Sequence, residues 1–399
     1  MVDNVVVLAG GTGTRLWPAS LRTRPKQFLD PGTGASLLRM TLERAAAVTE
    51  KGRIIIVTHK EQVAPLIEEL SQLESLRERV LVLPEPAMRN TAPAITLAIT
   101  YLALNEPGEG TTLVLAADHI ITPVDKFAEA CERADTLARE GSLVTFGITP
   151  TRPETGYGYI EAGESITLGS ESSHGPDDSS SGSSNHGPGR RVTAFREKPD
   201  QATAKAYVEA GNFLWNSGMF VFRNDSYLAA LNKHQPDVAK GFEAIQLLET
   251  HERQDKLPVE SRNGVEVAWD GSYLAEVYGE LPKISIDYAV MEKAAEVGGV
   301  AVVEPEFEWN DVGSWDEMAE LAEAGVLGGA KAGSTGADLY TAGANNVYAF
   351  SDLPVAVCGV DDVSVIVKNG KVLVVKRGES QLVKEIVEKL EGKGRDDLL

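Results

Sequence analysis

Leu8-Ala-Gly-Gly-Thr-Gly-Thr-Arg-Leu-Trp-Pro18 directly follows the apolar run Val5-Val-Val7. The apolar run predicts a buried β-strand, and the glycines after it predict a turn whose backbone can reach positive φ and approach a ligand closely. In such a turn, successive backbone N–H groups can converge on phosphate oxygens. Arg15 and Lys26 add positive charge beside it. We therefore expect a loop that binds a phosphorylated ligand.

Two well-known phosphate-binding loops do not fit this stretch. A Walker A loop ends in Gly-Lys-Ser or Gly-Lys-Thr, and neither sequence follows these glycines. A dinucleotide-binding loop needs a third glycine where the helix begins, and Leu16 stands at that position when the count starts from Gly11. The loop is therefore expected to be of another kind.

The composition limits the classes of partner. The chain of 399 residues has a net charge of −21, which excludes a nucleic-acid partner because binding a polyanion requires a basic surface. Cys131 and Cys358 are far apart and outside any CxxC pattern, so neither a disulfide framework nor a zinc site is expected. No apolar run is long enough to span a membrane and no signal-peptide pattern is present. The two isolated cysteines suit a reducing compartment, so we expect a cytoplasmic protein.

Short β-branched runs alternate with helical patterns in the first 150 residues, which indicates parallel strands joined by crossover helices. We predict strands and helices as follows: strands at Val5–Ala9, Ile54–Thr58, Val80–Pro84, Leu113–Ala117 and Leu143–Gly147, and helices at Leu37–Val48, Glu61–Leu73, Ala92–Leu104 and Lys126–Arg139. The predicted fold class is α/β, with a doubly wound, mostly parallel sheet. Ligands bind such sheets beyond the carboxyl ends of the strands, where the Gly-rich loop, Glu85 and Asp118 all fall.

Three changes of composition divide the rest of the chain. Residues 165–190 are rich in Ser and Gly and lack apolar side chains over most of their length, so we expect a disordered surface insertion in a domain that spans residues 1–325. The Gly/Ala-rich residues 326–345 are expected to form a linker. Residues 346–399 show four short strand patterns, the last two joined by Asn369-Gly370, and are expected to form a small β-rich C-terminal domain that serves packing or a homodimer.

Two aspartates are candidates for metal binding. Asp118 ends a predicted central strand, and Asp311 lies in Trp309-Asn-Asp-Val-Gly-Ser-Trp315, between aromatic residues. Taken alone, either carboxylate is equally suited to capping a helix or ordering a turn. If both lie beside the Gly-rich loop, their oxygens together with phosphate oxygens and water suit Mg²⁺.

Several segments, taken in order, resemble the sugar-nucleotide pyrophosphorylase family and, within it, the mannose-1-phosphate guanylyltransferases. The segments that carry the resemblance are Ala9–Pro18, Pro25-Lys-Gln-Phe28, Glu85–Ala94, Ala116-Ala-Asp-His119, Phe195-Arg-Glu-Lys-Pro199, Trp215-Asn-Ser-Gly218, Ser285-Ile-Asp-Tyr288 and Trp309–Trp315. The resemblance implies an enzyme that makes GDP-mannose and pyrophosphate from GTP and α-D-mannose 1-phosphate, with Mg²⁺ as cofactor. It also implies a nucleotidyltransferase fold for the first domain.

The resemblance assigns roles to particular positions. Catalytic roles fall on Arg15, Lys26, Asp118 and Asp311, of which the two aspartates hold the metal. The nucleotide-binding positions are Leu8, Ala9, Gly10, Gly11, Thr12, Gly13, Thr14, Arg15, Lys26, Glu85, Asn90 and Thr91. The sugar-phosphate-binding positions are Gly158, Glu197, Lys198, Asn216, Ser217 and Gly218.

Glu85 is the candidate for reading the base. Guanine presents adjacent N1–H and N2–H₂ donors, so one carboxylate can accept from both and reject adenine, which lacks that pair. A structural ion pair with Arg89 is the alternative for this glutamate. Two other functions stay open at this stage: a pyrophosphorylase for another sugar 1-phosphate or nucleotide, and a non-catalytic, regulatory sugar-nucleotide-binding subunit.

Overall fold

A computed structural model describes residues 1–11, 13–105, 108, 110–167, 187–243, 259–268, 272–327 and 334–399. Thr12, residues 168–186 of the predicted Ser-rich insertion and residues 328–333 of the predicted linker lie outside the described residues. In the described part of the chain, no helix is both long enough and apolar enough to cross a membrane.

The strands, in chain order, are β1 Asn4–Ala9, β2 Ile54–His59, β3 Val80–Glu85, β4 Thr111–Ala116, β5 Ile120–Thr122, β6 Leu143–Ile148, β7 Gly158–Ile166, β8 Gly189–Glu197, β9 Phe213–Arg223, β10 Val259–Arg262, β11 Val265–Ala268, β12 Val300–Val303, β13 Glu308–Asn310, β14 Ser334–Gly336, β15 Leu339–Ala342, β16 Val347–Ser351, β17 Val355–Cys358, β18 Val363–Lys368 and β19 Lys371–Lys376. The α-helices used below are α1 Leu37–Val48, α2 Val63–Ser71, α3 Glu74–Arg77, α4 Thr91–Asn105, α5 Val124–Arg139, α6 Gln201–Ala210, α7 Asn224–His234, α8 Ser272–Glu280, α9 Glu292–Glu296, α10 Trp315–Glu323 and α11 Val383–Gly392. The predicted strands and helices of the first 150 residues are confirmed, with ends shifted by a few residues.

The large sheet has eleven strands in the order β10-β11-β3-β2-β1-β4-β9-β6-β12-β8-β7. Pairings from β11 to β4 are parallel, as the alternating pattern predicts. The other half is mixed, because β9 runs antiparallel to both β4 and β6, and β8 runs antiparallel to β12 and β7. The prediction of a mostly parallel sheet is therefore wrong for the sheet as a whole, since these later strands enter it as antiparallel neighbours.

Helices cover both faces of this sheet, so the doubly wound arrangement holds for the parallel half. Val5 and Val7 of β1 point to the face covered by α1, α2 and α5. Val6, between them, points to the face covered by α4, α7 and α8. Alternate side chains of a strand lie on opposite faces, so β1 contributes to both cores.

The Ser-rich segment connects β7 to β8. Both ends of the predicted insertion belong to strands, because Ser165 pairs with Arg190 and Ile166 pairs with Gly189 in the antiparallel ladder of β7 and β8. The predicted insertion of 165–190 is therefore wrong at its margins. These residues gain strand pairing across the hairpin, which a compositional pattern cannot show.

Among the C-terminal strands, β14 pairs in parallel with β16, β15 with β17 and β16 with β18, so this part of the chain winds as a coil of stacked turns. The last strand, β19, pairs antiparallel with β18. Leu339 pairs with Val355, and Val347 pairs with Val363. Polar side chains join successive turns, as where the Asn346 side chain donates to Asp362 at 2.7 Å. The predicted linker of 326–345 is wrong over residues 334–342, because β14 and β15 lie there and pair with β16 and β17.

The C-terminal strands and α11 pack on the segment that follows the Gly-rich loop. One apolar cluster contains Leu16 and Trp17 from that segment together with Trp315, Tyr348 and side chains of α11. The indole of Trp17 donates to the Leu398 carbonyl at 2.8 Å, and the indole of Trp315 donates to the Trp17 carbonyl at 3.0 Å. The C-terminal residues therefore support the far side of the Gly-rich loop.

We predict that Trp315→Phe lowers the free energy of unfolding by about 1–3 kcal/mol. The phenyl ring of the variant still fills most of the space that the indole occupies. The buried Trp17 carbonyl loses its donor, however, and an unsatisfied buried acceptor costs about that much. Urea denaturation measures the change. Tyr340→Phe is the control, because Tyr340 is 61% exposed. Equal stability of Trp315→Phe and the control would contradict this account of the packing.

Candidate active site

The parallel strands bring three sequence motifs to one edge of the sheet. The Gly-rich loop follows β1, Glu85 ends β3, and Asp118 comes just after β4. Because β3, β2, β1 and β4 are parallel neighbours, their carboxyl ends lie side by side. The predicted meeting of these motifs at one edge is confirmed.

A cavity of about 570 Å³ opens at this edge. Most of the predicted site residues line it: Leu8, Ala9, Gly10, Gly11, Glu85, Asn90, Thr91, Asp118, Gly158, Glu197, Lys198, Asn216, Ser217, Gly218 and Asp311. A volume of this size is typical of sites for small molecules. A depression of about 630 Å³ between α5 and β8 is lined by charged side chains of both signs and by none of these residues.

The remaining predicted residues lie beside the cavity or outside the described chain. Thr12 is not among the described residues. Gly13 has a φ of 59°, and a Cβ there would clash with the Lys26 side chain. Thr14 and Arg15 belong to the short helical turn that follows, and Arg15 is exposed. The guanidinium of Arg15 lies near Gly313, because a Cβ added to that glycine would be 3.7 Å from Arg15 Nη1. The positions of Gly13, Thr14 and Arg15 thus shape the rim instead of lining the cavity.

Lys26 is buried, with 7% of its surface exposed. Its ammonium donates to Asp118 Oδ2 at 2.7 Å and also to the backbone carbonyl of Asp311. A buried ammonium is costly without a carboxylate and further acceptors, and both are present here. Lys26 therefore links the two predicted metal aspartates, which are far apart in the chain.

A two-stranded pairing explains how Asp311 reaches Asp118. Strand β13 pairs antiparallel with β5, with Asn310 opposite Ile120. The residue after Asn310 must then lie beside the residues that precede Ile120. The Tyr157 hydroxyl donates to Asp311 Oδ1 at 2.5 Å and so fixes the orientation of this carboxylate.

The charges around Asp118 keep it ionised. Burial alone would raise its pKa, but the charges of Lys26 and His119 and the hydrogen bond from Lys26 together hold the pKa below its ordinary value. Burial lowers the pKa of His119, whose Nδ1 accepts a hydrogen bond from the Trp309 indole at 3.1 Å. His119 therefore hydrogen-bonds to Trp309 and lies beside Asp118, with its Nε2 3.9 Å from Asp118 Oδ1.

The donor set at this point suits a hard cation. Two carboxylate residues, Asp118 and Asp311, line the same cavity, and oxygen ligands are those that Mg²⁺ prefers. Among the described residues there is no group of three or more His, Cys, Asp or Glu side chains that could hold a metal ion. Any metal here would need phosphate oxygens or water to complete its ligands, which fits Mg²⁺ bound together with a substrate.

Asn216, Ser217 and Gly218 lie within β9. The β6–β9 ladder passes from Thr145 opposite Phe220 to Gly147 opposite Asn216, so the three residues between on β9 face a single one on β6. Gly218 has a φ of 70° in this bulge, and the Ser217 hydroxyl donates to the Phe146 carbonyl at 2.8 Å. Bulges of this kind re-aim side chains, and this one places Asn216 in the cavity wall.

Carboxylates concentrate at the same end of the cavity. Asn216 Nδ2 donates to Asp287 Oδ1 at 2.8 Å. Burial and the nearby charge of Asp287 raise the pKa of Glu197 above its ordinary value. Lys198 Nζ lies 4.0 Å from Glu197 Oε1, and a Cβ at Gly158 would clash with the same carboxylate. This end therefore offers several acceptors and the exposed cation of Lys198, which suits hydroxyl groups next to a phosphate.

Glu85 lies at the opposite end and is buried. Burial raises the pKa of Glu85 to about 7, against a hydrogen bond from Tyr278 that lowers it. Asn90 has a φ of 70° and its side chain accepts from the Thr91 amide, while the Thr91 hydroxyl accepts from the Ile286 amide at 2.9 Å. The two residues thus shape the loop and helix start beside Glu85.

The sequence profile of the family described as Nucleotidyl transferase matches residues 4–325. The chain belongs to the nucleotidyl transferase family. It is 37% identical over 397 residues to the mannose-1-phosphate guanylyltransferase of Klebsiella pneumoniae. The alignment covers 98% of this chain and 74% of that protein. The xanthan biosynthesis protein XanB of Xanthomonas campestris pv. campestris (strain B100) shows the same identity and coverage.

A solved structure extends the likeness to the whole chain. The Thermus thermophilus protein described as a mannose-1-phosphate geranyltransferase superposes with a TM-score of 0.75 and 31% sequence identity. The alignment covers 98% of this chain and 99% of that one. The alignment with the Thermus thermophilus protein thus includes the C-terminal strands of this nucleotidyl transferase.

Three contacts in the site of this nucleotidyl transferase are not predictable from its motifs. Tyr157 orients Asp311, Tyr278 contacts Glu85, and Trp309 contacts His119. Asp287 lies in a segment that resembles the family, yet a helix cap explains it equally well from sequence alone. The position of Tyr157 between two glycines, Gly156 and Gly158, was the available signal for it, whereas Tyr278 has no local signal.

The raised pKa of Glu85 predicts a pH-dependent contribution to stability. In the unfolded chain this group titrates near 4.5, and in the folded protein near 7. Its stabilising contribution is therefore complete below about pH 4.5 and is lost as the pH rises through about 7, by about 3 kcal/mol in total. Urea denaturation from pH 4.5 to 8 of the protein and of Glu85→Gln measures this.

The difference in free energy of unfolding between the protein and Glu85→Gln should fall across that range and level off above it. A constant difference would show that Glu85 titrates at its ordinary value in the folded protein.

Proposed function

We propose that this protein transfers the guanylyl group of GTP to α-D-mannose 1-phosphate, giving GDP-mannose and pyrophosphate. The observation that carries the proposal is the buried Lys26 ammonium, which joins Asp118 to the backbone of Asp311 at the mouth of the Gly-rich loop. Acceptor-rich groups lie at one end of the same cavity and the buried Glu85 at the other. The relatives named mannose-1-phosphate guanylyltransferase support this choice of substrates.

In the proposed reaction, an oxygen of the sugar phosphate attacks the α-phosphorus of GTP. The bond from the α-phosphorus to the oxygen that bridges to the β-phosphate breaks, and pyrophosphate leaves with the electron pair. A sugar phosphate is already ionised at neutral pH, so the nucleophile needs no general base. Positioning and neutralisation of charge on the phosphate oxygens therefore carry the catalysis.

The chain's own residues supply the positions and charges. The Gly10-Gly11 backbone lines the cavity where phosphates would lie, and Lys26 lies directly behind it. Arg15, which is exposed at the rim, would contact the pyrophosphate end. Asp118 and Asp311 would hold Mg²⁺, which when bound balances the charge between the two reacting phosphates.

The sugar-phosphate residues form the opposite wall. Lys198 would pair with the sugar phosphate, while Glu197 and Asp287 would accept hydrogen bonds from the hydroxyl groups. Asn216, held by Asp287, fixes the orientation of that wall. We also propose that the protein acts in the cytoplasm, where both substrates would be made.

Release of pyrophosphate tests this function directly. We expect the protein to release pyrophosphate from GTP plus mannose 1-phosphate with Mg²⁺, and to do so at least about tenfold less efficiently with ATP, UTP or glucose 1-phosphate. Preference for another pair would reassign the enzyme within the pyrophosphorylases. Binding of GDP-mannose without release of pyrophosphate from any pair would instead favour the regulatory subunit.

We predict that Asp118→Asn lowers kcat/KM by about a thousandfold or more, because the amide removes one of the two charges that hold the metal and leaves Lys26 without its carboxylate. Pyrophosphate release under saturating Mg²⁺ measures it. Asp125→Asn is the matched control, since Asp125 is exposed in the first turn of α5, and it should keep the activity of the unchanged protein. Near-normal activity of Asp118→Asn would overturn the metal assignment.

A further inference from the structure

Tyr278 is a buried polar residue that the mechanism above does not use. It lies in α8, a helix without a recognised motif, and is 0% exposed. Its hydroxyl donates to Glu85 Oε1 at 2.6 Å. Apolar and aromatic side chains pack around its ring, with the Phe242 ring edge-on at a centroid distance of 6.1 Å. The hydroxyl is therefore aimed at the carboxylate by the core.

The hydrogen bond has a fixed direction. Burial, followed by the charge of Glu85, raises the pKa of Tyr278 well above its ordinary value, so the phenol keeps its proton and acts as the donor. A donor to a carboxylate favours its ionised form. The second oxygen, Glu85 Oε2, lies 3.5 Å from the position that a Cβ on Gly10 would take and so faces the Gly-rich loop.

The ionisation state of Glu85 decides which purine it can bind. An ionised carboxylate accepts from N1–H and N2–H₂ of guanine, but it faces the lone pair on N1 of adenine. A protonated carboxyl group has the opposite preference, because it can donate to N1 of adenine and loses one acceptor for guanine. Burial alone pushes Glu85 toward this second state.

We propose that Tyr278 is a positioning residue for base selection, which holds Glu85 as a two-oxygen acceptor and thereby makes the site select guanine over adenine. This inference rests on the proposed transfer from GTP. It concerns α8 and the core behind the site and adds no contact between Tyr278 and the substrate.

Other groups around Glu85 define what else affects its charge. His59 is the neighbour of Glu85 across the β2–β3 pairing, and its Nδ1 lies 3.6 Å from Glu61 Oε2. Arg89 is close enough to lower the pKa of Tyr278 by its charge. Tyr227 of α7 is near Tyr278, but its hydroxyl lies 2.9 Å from the Thr96 hydroxyl. Among the described residues, Tyr278 makes the side-chain hydrogen bond to Glu85 that lowers its pKa.

The variant Tyr278→Phe keeps the ring and removes only the donor. At pH 7 we expect KM for GTP to rise about tenfold with kcat little changed. Without the Tyr278 donor, less of Glu85 is ionised, and the charged hydrogen bonds from guanine to ionised Glu85 carry at least that much affinity. The ratio of kcat/KM for GTP to that for ATP should fall about tenfold. The acidic limb of the GTP profile should move to higher pH, since loss of the donor raises the pKa of Glu85.

The pH profile separates this role from a purely structural one. At pH 8.5, where Glu85 is mostly ionised and guanine still carries its N1–H, KM for GTP in Tyr278→Phe should return to within about threefold of the unchanged protein. The matched control is Tyr227→Phe, which removes a buried phenol hydroxyl from the same core. Its GTP-to-ATP ratio and pH profile should match those of the unchanged protein.

The outcomes are distinct. A KM defect in Tyr278→Phe that is equal at every pH, or an unchanged GTP-to-ATP ratio, overturns the inference. Failure of the unchanged protein to release pyrophosphate from GTP and mannose 1-phosphate overturns the proposed function instead.

Discussion

The buried ammonium of Lys26 is the interaction on which the site depends. It binds Asp118 at 2.7 Å and the backbone carbonyl of Asp311. The Lys26 side chain also packs so closely on Gly13 that a Cβ there would clash with it, so this residue joins the Gly-rich loop to both predicted metal ligands. The cost of burying this charge is offset only while both acceptors stay in place. The antiparallel pairing of β5 with β13 keeps them there, and the bond from Tyr157 then orients the Asp311 carboxylate.

The support for this centre comes from two directions. On one side, the C-terminal strands and α11 pack against Leu16 and Trp17, just beyond the Gly-rich loop. On the other side, α8 carries Tyr278 to Glu85 through the core that covers the opposite face of the sheet. The cavity is thus shaped by elements that contribute no motif of their own, and Tyr278, which we propose to govern base selection, lies in one of them.

Local sequence patterns predict the part of the fold that local forces determine. Val5–Val7 and the glycines after it identify β1 and its loop, and Asn369-Gly370 identifies the β18–β19 hairpin, in which both residues have positive φ. The antiparallel entry of β9 between β4 and β6 depends on distant partners, so no local pattern reveals it. The burial of Lys26 and the contact from Tyr278 to Glu85 are missed for the same reason.

The most direct test of the central claim is a double-mutant cycle on kcat/KM with Asp118→Asn, Asp311→Asn and both together, measured by pyrophosphate release. If the two carboxylates act as one unit at the Lys26 centre, the double variant should be about as slow as the slower single variant. Losses that add fully in free energy would show that the two aspartates act independently and would contradict the account.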